Sequence, residues 1–567
     1  MPKRRENEAD NQTPTNKKRA LKHERASHKP NFDLITASKD IWGKLRKKTN
    51  SKEENRELAD ELFALIKGKM LEIGQRHDAS RVVQAMVQFG TDEQRAVVLD
   101  ELKGAIADMS KSQYGHFIVL KLIKYCSNTP SNKKKILKAF AGQVTKLATH
   151  SVGARVIEVA FGGEFTNKET EALRREFYGK QYALFSPTDS SSSSTSSSPP
   201  PSILSTLLSA HPDAASSILT HVRNVIDKII EKKLFPFEYA HELIASYTLH
   251  APSADVANLG SSVVDNSIEL LSTRAGTTAI AQFAAYAGAK DRKRILKSLR
   301  GYASSLLTHR DAYVALMRVI LVTDDTVTVQ KMILNELLRP EKAGEVAEGG
   351  EEAKHPLHTI AMNPNASKLL LLLLNKQEDL PTQYLDPWEE ELLKPALALD
   401  DKGEMVSTSR KNPQTRKAEL LQYMKSDVIS LVTQHAGELL DCASGAKILA
   451  ETTGNFGECD KAIVDAIEGK GINIFEDAKG HSNVKKIILK AKDRGGDFGV
   501  VFWEKFSGAS QEILNSSRGA FVLAALCDSC PEVLKKIKVD KDVKKIIKAK
   551  IKKGGVVKGY EALLEKL

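Results

Sequence analysis

Short polar clusters that open apolar helical stretches contain the residues of this chain best suited to chemistry. In one cluster, Ser80 and Arg81 are followed by two valines and then by Gln84. If this segment is helical, Ser80, Arg81 and Gln84 share a face, because residues three or four apart are neighbours on a helix surface. Val82 and Val83 then point into a core. A hydroxyl, a planar cation and an amide on one face can hydrogen-bond to one flat base and stack on it.

The same pattern returns along the chain at a spacing in the middle thirties. A second copy begins at Gly115 and a third at Gly153, and weaker copies begin at Gly276, Asp311, Asn365, Gly445 and Gly519. A small residue that opens an apolar helix at this period is typical of a helical solenoid. The predicted fold class is therefore all-α, an α-solenoid in which each repeat packs mainly on its neighbours.

Length and charge agree with a solenoid that meets an anionic partner. At 567 residues the chain is too long for one ordinary core, and its net charge is +12. The alternative is that the excess of basic residues has no function.

The cysteines are too scattered for a disulfide framework, which favours a reducing compartment. They are Cys126, Cys442, Cys459, Cys527 and Cys530. Runs of consecutive apolar residues, such as Leu369 to Leu374, are far too short to span a membrane.

Two lysine-rich stretches predict contact with phosphate. No Asp or Glu occurs between Met109 and Ile157, whereas a solvated helix face normally mixes charges of both signs. The cations in this stretch are Lys111, Lys121, Lys124, Lys133, Lys134, Lys135, Lys138, Lys146 and Arg155. Near the end of the chain, Lys544, Lys545 and Lys548 are spaced to share one side of a helix. An ordinary solvated face is the alternative for both stretches.

Changes in composition predict four parts. Residues 1–37 form a disordered basic tail, residues 38–185 an N-terminal repeat lobe, residues 186–202 a Ser/Pro-rich loop, and residues 203–567 a C-terminal repeat lobe. Two basic clusters in the tail predict a bipartite nuclear-import signal, with a tail that merely touches nucleic acid as the alternative. They are Lys3, Arg4, Arg5 and Lys17, Lys18, Arg19. Polar insertions at 341–354 and 400–416 are expected to leave one face of the solenoid.

The segment from Ser80 to Gln84 resembles the base-reading helix of the pumilio-homology (PUF) family. The resemblance implies that each repeat offers two edge residues and one stacking residue to one RNA base. Ser80 and Gln84 match the two positions that contact the edge of the base, called edge positions. Arg81 matches the position that stacks on the face of the base, called the stacker. In the third repeat Arg155 and Glu158 match the stacker and second edge, but Ala154 departs from the pattern; the second repeat has His116, Phe117 and Leu120. Later repeats are further eroded, with Thr277, Thr278 and Ala281, then Ala312, Tyr313 and Leu316, then Ser367, Lys368 and Leu371.

Nearly the whole chain resembles the divergent nucleolar, PUF-A-like branch of that family. The resemblance rests on Ile41-Trp42 followed by Arg46-Lys47-Lys48, on the segment 88–95, on the closing residues 561–567, and on a region like the family's CPL segment at about 369–515. It implies about eleven repeats in an L-shaped, two-lobed solenoid and a location in the nucleus and nucleolus. It also implies binding to structured RNA, or even DNA, with little sequence preference.

The sequence therefore predicts a non-catalytic RNA-binding protein in pre-rRNA processing and assembly of the large (60S) ribosomal subunit. Expected partners are RNA, pre-60S ribosomal proteins and assembly factors, and a nuclear import receptor. No membrane, small-molecule substrate, metal or other cofactor is expected. A sequence-specific mRNA repressor and a protein-only helical scaffold are the alternatives. For Tyr313 and Phe521, packing between repeats is favoured over base stacking.

Patterns typical of enzymes are incomplete. His309-Arg310-Asp311 and Asp497-Phe498-Gly499 match two protein-kinase tripeptides, but Leu316 stands where the catalytic loop needs Asn, and no Gly-rich phosphate loop precedes them. Cys527 and Cys530 have the spacing of a zinc pair, but a structural site requires two more ligands close by. Buried structural cysteines are the favoured interpretation.

Overall fold

A computed structural model describes residues 31–77, 79–184, 202–339, 355–400, 402–495, 497–553 and 558–567. The chain divides into two compact units, Met1–Tyr247 (unit 1) and Thr248–Leu567 (unit 2). The predicted import signal and the Ser/Pro-rich stretch up to residue 201 lie outside the described residues. No helix in the described ranges combines the length and apolarity that crossing a membrane requires.

Unit 1 is built from short helices. They are α1 (Phe32–Leu45), α2 (Lys52–Ile66), α3 (Met70–Gly74), α4 (Ser80–Phe89), α5 (Asp92–Leu102), α6 (Ile106–Lys111), α7 (Gly115–Cys126), α8 (Pro130–Phe140), α9 (Val144–Ala148), α10 (Gly153–Phe161), α11 (Asn167–Arg175), α12 (Lys180–Leu184), α13 (Ile203–Ala210), α14 (Ala215–Glu231) and α15 (Glu238–His250). Three-residue 3₁₀ turns occur at Lys103–Ala105, Glu176–Tyr178 and Pro212–Ala214.

Unit 2 continues with helices and one small hairpin. Its elements are α16 (Ser253–Val263), α17 (Ser267–Leu270), α18 (Arg274–Tyr286), α19 (Ala289–Leu299), α20 (Ala303–Thr308), α21 (Tyr313–Val322), α22 (Thr326–Val329), α23 (Asn335–Leu338), α24 (His358–Met362), α25 (Ser367–Leu374), α26 (Pro387–Leu393), β1 (Leu397–Leu399), β2 (Met405–Ser407), α27 (Pro413–Asp441), α28 (Ala443–Asn455), α29 (Asp460–Gly469), α30 (Ala478–Lys490), α31 (Asp497–Phe506), α32 (Ser510–Asn515), α33 (Gly519–Ser529), α34 (Pro531–Val539), α35 (Lys541–Lys553) and α36 (Lys558–Lys566). Further 3₁₀ turns lie at Val264–Asn266, Thr382–Tyr384, Ile472–Phe475, Ala491–Arg494 and Ser507–Ala509, and a π-helical turn lies at Gln330–Leu334.

The repeated sequence pattern forms rows of stacked helices, which we call inner helices. In unit 1, α1 packs on α4, α4 on α7 and α7 on α10. In unit 2, α18 packs on α21, and α25, α28, α30, α33 and α36 pack in succession. The apolar positions of the pattern are buried, as Val82 and Val83 are in α4 and Ile118 and Val119 in α7. The predicted all-α solenoid is confirmed; the two-stranded antiparallel hairpin β1–β2 is a local exception that the sequence did not predict.

A recurrent contact explains the segment at 88–95. Thr91 caps α5 in a capping box with Gln94. The Arg95 guanidinium then donates from Nε to the carbonyl of Val87 (2.9 Å) and from a terminal nitrogen to that of Gln88 (3.0 Å). These carbonyls at the end of α4 have no partner within their own helix, so the arginine satisfies them and fixes the angle between the inner helix and the next helix.

Carboxylates bind neighbouring repeats together through backbone amides. Glu101, at the end of α5, accepts hydrogen bonds from the amides of Gly68 (3.0 Å) and Met70 (2.7 Å), more than thirty residues earlier. Glu176 does the same for Gly142 and Val144, and Glu336 for Gly301 and Ala303. Each carboxylate satisfies free amides at the start of a short helix, so these acidic residues have a structural role.

The small residue that opens the pattern is required by a close backbone approach. A Cβ at Gly276 would lie 1.9 Å from the carbonyl oxygen of Leu270, at the end of the preceding short helix. At Gly519 the corresponding distance to the carbonyl oxygen of Ile513 is 2.0 Å. Any side chain at these positions would push the inner helix away from the short helix that supports it.

The Gly276→Ala substitution is expected to lower the free energy of unfolding by about 3 kcal/mol, because the backbone must move to admit the methyl group. Gly43→Ala in α1 is the matched control. A Cβ at Gly43 meets nothing within 4 Å, so alanine is expected to stabilise its helix by up to about 1 kcal/mol. Urea unfolding of both variants measures the difference, and equal stabilities would contradict the close-approach explanation.

Residues 408–416 of the polar stretch 400–416 are docked on unit 2, so the prediction of an excursion from the solenoid is wrong for this part, whereas residues 402–407 are exposed. The buried Arg292 guanidinium donates to the Ser409 hydroxyl (3.0 Å) and to main-chain carbonyls on both sides. Arg416 is buried as well and pairs with Asp324 at 3.0 Å. The composition suggested a solvated loop, but its polar side chains complete buried hydrogen bonds of the neighbouring helices.

Candidate nucleic-acid interface

Side chains of three stacked helices form a stripe in unit 1, which we call the unit 1 inner face. It consists of Arg81, Gln84 and Gln88 on α4, Phe117, Lys121 and Lys124 on α7, and Arg155 on α10. Gln84, Gln88 and Lys121 are half-buried, and the other four residues are exposed. Within each helix these residues recur three, four or seven positions apart, which places them on one side. The three predicted stackers are all exposed, including Phe117, whose accessible fraction is 41%.

Cations and an aromatic ring join α4 to α7 along this face. The Lys121 ammonium donates to the side-chain oxygen of Gln88 at 2.9 Å. It also lies 5.2 Å from the centre of the Tyr125 ring, which Lys124 and Arg95 approach at 5.5 Å each. Arg95 is paired with Asp92 at 2.8 Å, whereas Lys121 and Lys124 have no carboxylate within 4 Å among the described residues. The two lysines therefore hold positive charge at this surface, which favours a bound anion.

Trp42 extends the inner face onto α1 and was not assigned a role from the sequence. The Arg81 guanidinium lies 5.9 Å from the Trp42 ring centre, and that of Arg46 lies 4.9 Å from it. Arg81 and Arg46 are exposed and Trp42 is half-buried. A planar ring between two guanidinium groups can hold both side chains in place for contact with a base or a phosphate. The Ile41-Trp42 motif with its following Arg46 contained this signal.

The first edge positions are largely closed to solvent. Ser80, His116 and Ala154 are buried, with accessible fractions of 3%, 7% and 0%. The His116 ring nitrogen Nδ1 lies 3.0 Å from the carbonyl oxygen of Ser112, with which it shares a hydrogen bond. Because these side chains face the interior, the exposed stackers and cations dominate the surface that a ligand would meet.

Glu158 has a structural partner in place of a base. Its carboxylate accepts hydrogen bonds from the amides of Glu238 (3.0 Å) and Tyr239 (3.4 Å), at the first turn of α15. Burial raises the pKa of Glu158, while these amide hydrogen bonds act in the opposite direction. The sequence position matched a base-edge residue, but the carboxylate caps a helix.

Carboxylates from other helices approach two lysines of the stretch that itself contains no Asp or Glu. Lys133 and Lys135 lie on α8, outside the inner row, and pair with Glu169 on α11 (3.2 Å) and Asp100 on α5 (2.9 Å). These contacts join the outer helices of adjacent repeats, which a scan along the chain does not reveal. Other predicted cations are Lys111, which lies 3.5 Å from Asp108, and Lys134, Lys138 and Lys146, which are exposed and have no carboxylate within 4 Å among the described residues.

The predicted C-terminal lysines lie on α35, opposite its buried stripe. Val543 and Ile547 are buried, whereas Lys545 and Lys548 are exposed and Lys544 is half-buried. The spacing places the three cations on the solvent side of the helix, as the sequence predicted. This helix belongs to unit 2 and is described independently of the unit 1 inner face.

In unit 2, the protein itself covers the positions that correspond to base readers. The Trp388 indole on α26 donates to the Thr278 hydroxyl at 3.2 Å and stacks under the Arg274 guanidinium at 4.0 Å. The next residue, Glu389, is fully buried; it accepts a hydrogen bond from the Tyr313 hydroxyl and pairs with Lys368.

These contacts with α26 explain why the later repeats depart from the base-reading pattern. Thr278, Tyr313 and Lys368 lie within the first two turns of α18, α21 and α25, and all three contact α26. Tyr313 is therefore a packing residue, as the sequence analysis favoured. Phe521, half-buried, lies 5.8 Å from the Lys485 ammonium and 6.2 Å from the His481 ring.

Comparisons with known proteins agree with this architecture. Two family profiles match the chain: the Pumilio-family RNA binding repeat at residues 79–103 and 105–136, and the CPL (NUC119) domain at residues 362–492. Pumilio homolog 3 of Homo sapiens is 26% identical over 97% of this chain and 82% of its own length. Pumilio homology domain family member 6 of Schizosaccharomyces pombe is 31% identical over 79% of this chain and 65% of its own length.

Solved structures show the same fold. The crystal structure of human Puf-A superposes with a TM-score of 0.71 at 24% identity and covers 95% of this chain and 100% of that chain. Human Puf-A in complex with DNA gives a TM-score of 0.70 at 23% identity, with the same coverage. The chain is therefore a PUF-A-like member of the pumilio family, with Pumilio-family RNA-binding repeats and a CPL-type C-terminal region.

Proposed function

We propose that this protein binds structured RNA mainly through the sugar-phosphate backbone, using the unit 1 inner face. The observation that supports this mode is the combination of exposed Arg81, Phe117 and Arg155 with buried first edge positions. Guanidinium and aromatic planes stack on any base, and lysines neutralise phosphate, whereas sequence readout needs free hydrogen-bonding groups at base edges. A related protein, human Puf-A, was crystallised with DNA, a ligand that shares the phosphate backbone.

The covered repeats of unit 2 support the same conclusion. A sequence-specific mRNA reader uses one base-reading position in each of many consecutive repeats. Here Thr278, Tyr313 and Lys368 already contact α26, so these three repeats offer no free reading positions. The mRNA-repressor alternative is therefore disfavoured for this chain.

The biological role that we propose is non-catalytic: the solenoid holds precursor rRNA during assembly of the large ribosomal subunit in the nucleolus. Ribosomal proteins and assembly factors of the pre-60S particle are the proposed protein partners. The N-terminal clusters Lys3-Arg4-Arg5 and Lys17-Lys18-Arg19 are the proposed import signal, recognised by a nuclear import receptor.

In-cell ultraviolet crosslinking of the tagged full-length protein tests this role. The proposal expects most crosslinked RNA to be precursor rRNA of the large subunit, and depletion of the protein to cause unprocessed large-subunit precursors to accumulate. Crosslinks concentrated in mRNA 3′ untranslated regions would support the repressor alternative. An absence of crosslinked RNA above an untagged control would support the protein-only scaffold.

The two units are expected to respond differently to substitutions at reader positions. Thr278→Ala and Tyr313→Phe should leave RNA affinity within about twofold, because both side chains contact α26. Arg155→Ala removes an exposed cation of the inner face and should weaken binding about three- to tenfold for RNAs of any sequence. Fluorescence anisotropy with one labelled hairpin RNA measures both effects. Equal losses in all three variants would contradict the assignment of the face to unit 1.

A further inference from the structure

Two histidines and a glutamate converge in unit 2. His358 is the first residue of α24, and its ring nitrogen Nε2 lies 2.8 Å from one carboxylate oxygen of Glu438. His435 directs its Nδ1 at the other carboxylate oxygen, at 3.1 Å. The donor atoms of the three residues all lie within 4.8 Å of one another, and no other group of three or more such ligands forms in the described ranges.

The backbone is distorted at this cluster. His435 has φ −126° and ψ 19°, non-helical values inside the otherwise continuous helix α27. A sharp break in a long helix has an identifiable local cause. Here it accompanies the approach of the His435 ring to within 4.7 Å of the His358 ring, measured between centres.

The surroundings restrict access to the cluster without closing it. His358 is buried, with an accessible fraction of 7%, and the His435 side chain is 15% exposed. The Glu438 side chain is 52% exposed, which leaves one direction open to solvent. Two imidazole nitrogens and one carboxylate oxygen therefore converge here and are available as ligands.

We propose that His358, His435 and Glu438 form a binding site for a zinc ion. Two imidazole nitrogens and one carboxylate oxygen are a donor set that zinc accepts in tetrahedral sites, with the fourth position left to water. Mg²⁺ and Ca²⁺ prefer sites made entirely of oxygen ligands, so the two imidazoles select against them. The ion would replace the two histidine–glutamate hydrogen bonds with metal–ligand bonds.

A bound ion would connect two elements of unit 2. His358 begins α24, which packs on α27, and His435 and Glu438 lie in the last turns of α27. Metal binding to the folded state alone raises stability by linkage, so zinc is expected to strengthen the attachment of α24 to α27. The proposed role is structural, and RNA binding by the unit 1 inner face does not depend on it.

Zinc titration of the metal-free full-length protein tests the site. The expected result is one equivalent of Zn²⁺ bound and a rise in melting temperature that Mg²⁺ at the same concentration does not produce. Co²⁺ serves as a spectroscopic probe. At this site it should give visible d–d bands of nitrogen and oxygen coordination without thiolate charge-transfer absorption, which distinguishes the cluster from the pair Cys527 and Cys530.

Substitutions localise the site. His358→Ala and His435→Ala should each weaken zinc binding by at least about 100-fold, and Glu438→Gln, which retains a hydrogen-bonding side chain at an exposed position, by at least about tenfold. His481→Gln changes a half-buried histidine on α30; it is the matched control and should bind zinc as the unaltered protein does. The proposal is overturned if the unaltered protein binds no zinc, or if Glu438→Gln folds normally and binds it with unchanged affinity.

Discussion

The triple charge reversal Lys121→Glu, Lys124→Glu and Arg155→Glu is expected to weaken binding to structured RNA on the order of 100-fold at physiological salt. These cations lie on one side of two adjacent inner helices, and no carboxylate lies within 4 Å of any of them among the described residues. Each lost phosphate contact also lowers the number of counterions that are released when the protein binds RNA. The slope of log K against log salt should therefore become shallower by about two to three.

The outer helices supply a matched control for this prediction. Reversing Lys133 and Lys135 makes two of the three charge changes of the inner-face variant in the same unit, but these lysines pair with Glu169 and Asp100 on neighbouring outer helices. That variant should lose at most about tenfold in affinity and keep most of the salt dependence. Equal losses in the two variants would show that net charge, and not the inner face, governs binding.

Removal of the buried carboxylate of Glu389 is expected to lower the free energy of unfolding of unit 2 by about 3 to 5 kcal/mol. Glu389 is fully buried and is the shared partner of the Tyr313 hydroxyl and the Lys368 ammonium. Glu389→Ala leaves a largely buried ammonium without its counter-ion and a buried hydroxyl without its acceptor. The penalty of these unpaired groups exceeds the value of an ordinary hydrogen bond.

Two further substitutions on the same helix serve as comparisons for Glu389→Ala. Glu389→Gln retains hydrogen-bonding atoms without the charge, so it should cost less than Glu389→Ala. Glu391→Ala removes an exposed carboxylate that pairs only with exposed Lys394, and should change stability by less than about 0.5 kcal/mol. Urea unfolding followed by circular dichroism and by tryptophan fluorescence, to which Trp388 contributes, measures all three. A Glu389→Ala variant as stable as Glu391→Ala would refute the anchoring of α26.

The sequence predicted the repeat architecture because its signals are local. An apolar stripe with helical spacing, opened by a small residue such as Gly276, depends on contacts within one repeat and with its immediate neighbour. The placement of Arg81, Phe117 and Arg155 on a surface-facing side of their helices was predictable for the same reason, since their exposure follows from their position in the motif.

The wrong or incomplete predictions concern contacts between distant parts of the chain. Lys133 meets Glu169 36 residues away, and Glu158 caps a helix that starts 80 residues later. Glu389 reaches Tyr313 across 76 residues. The phosphate-surface interpretation of the acid-free stretch and the base-edge assignment of Glu158 both assumed that nothing remote approached these side chains. A linear pattern contains no information on such partners until the fold brings them together.

The central claim is that this protein binds RNA by its backbone with little regard for sequence. The most direct measurement is the affinity of the full-length protein for several structured RNAs of equal length and unrelated sequence, over a range of salt concentrations. The account predicts dissociation constants within about threefold of one another and a common steep salt slope that the inner-face reversal reduces. A preference of 100-fold or more for one sequence, or tight binding that salt does not weaken, would contradict it.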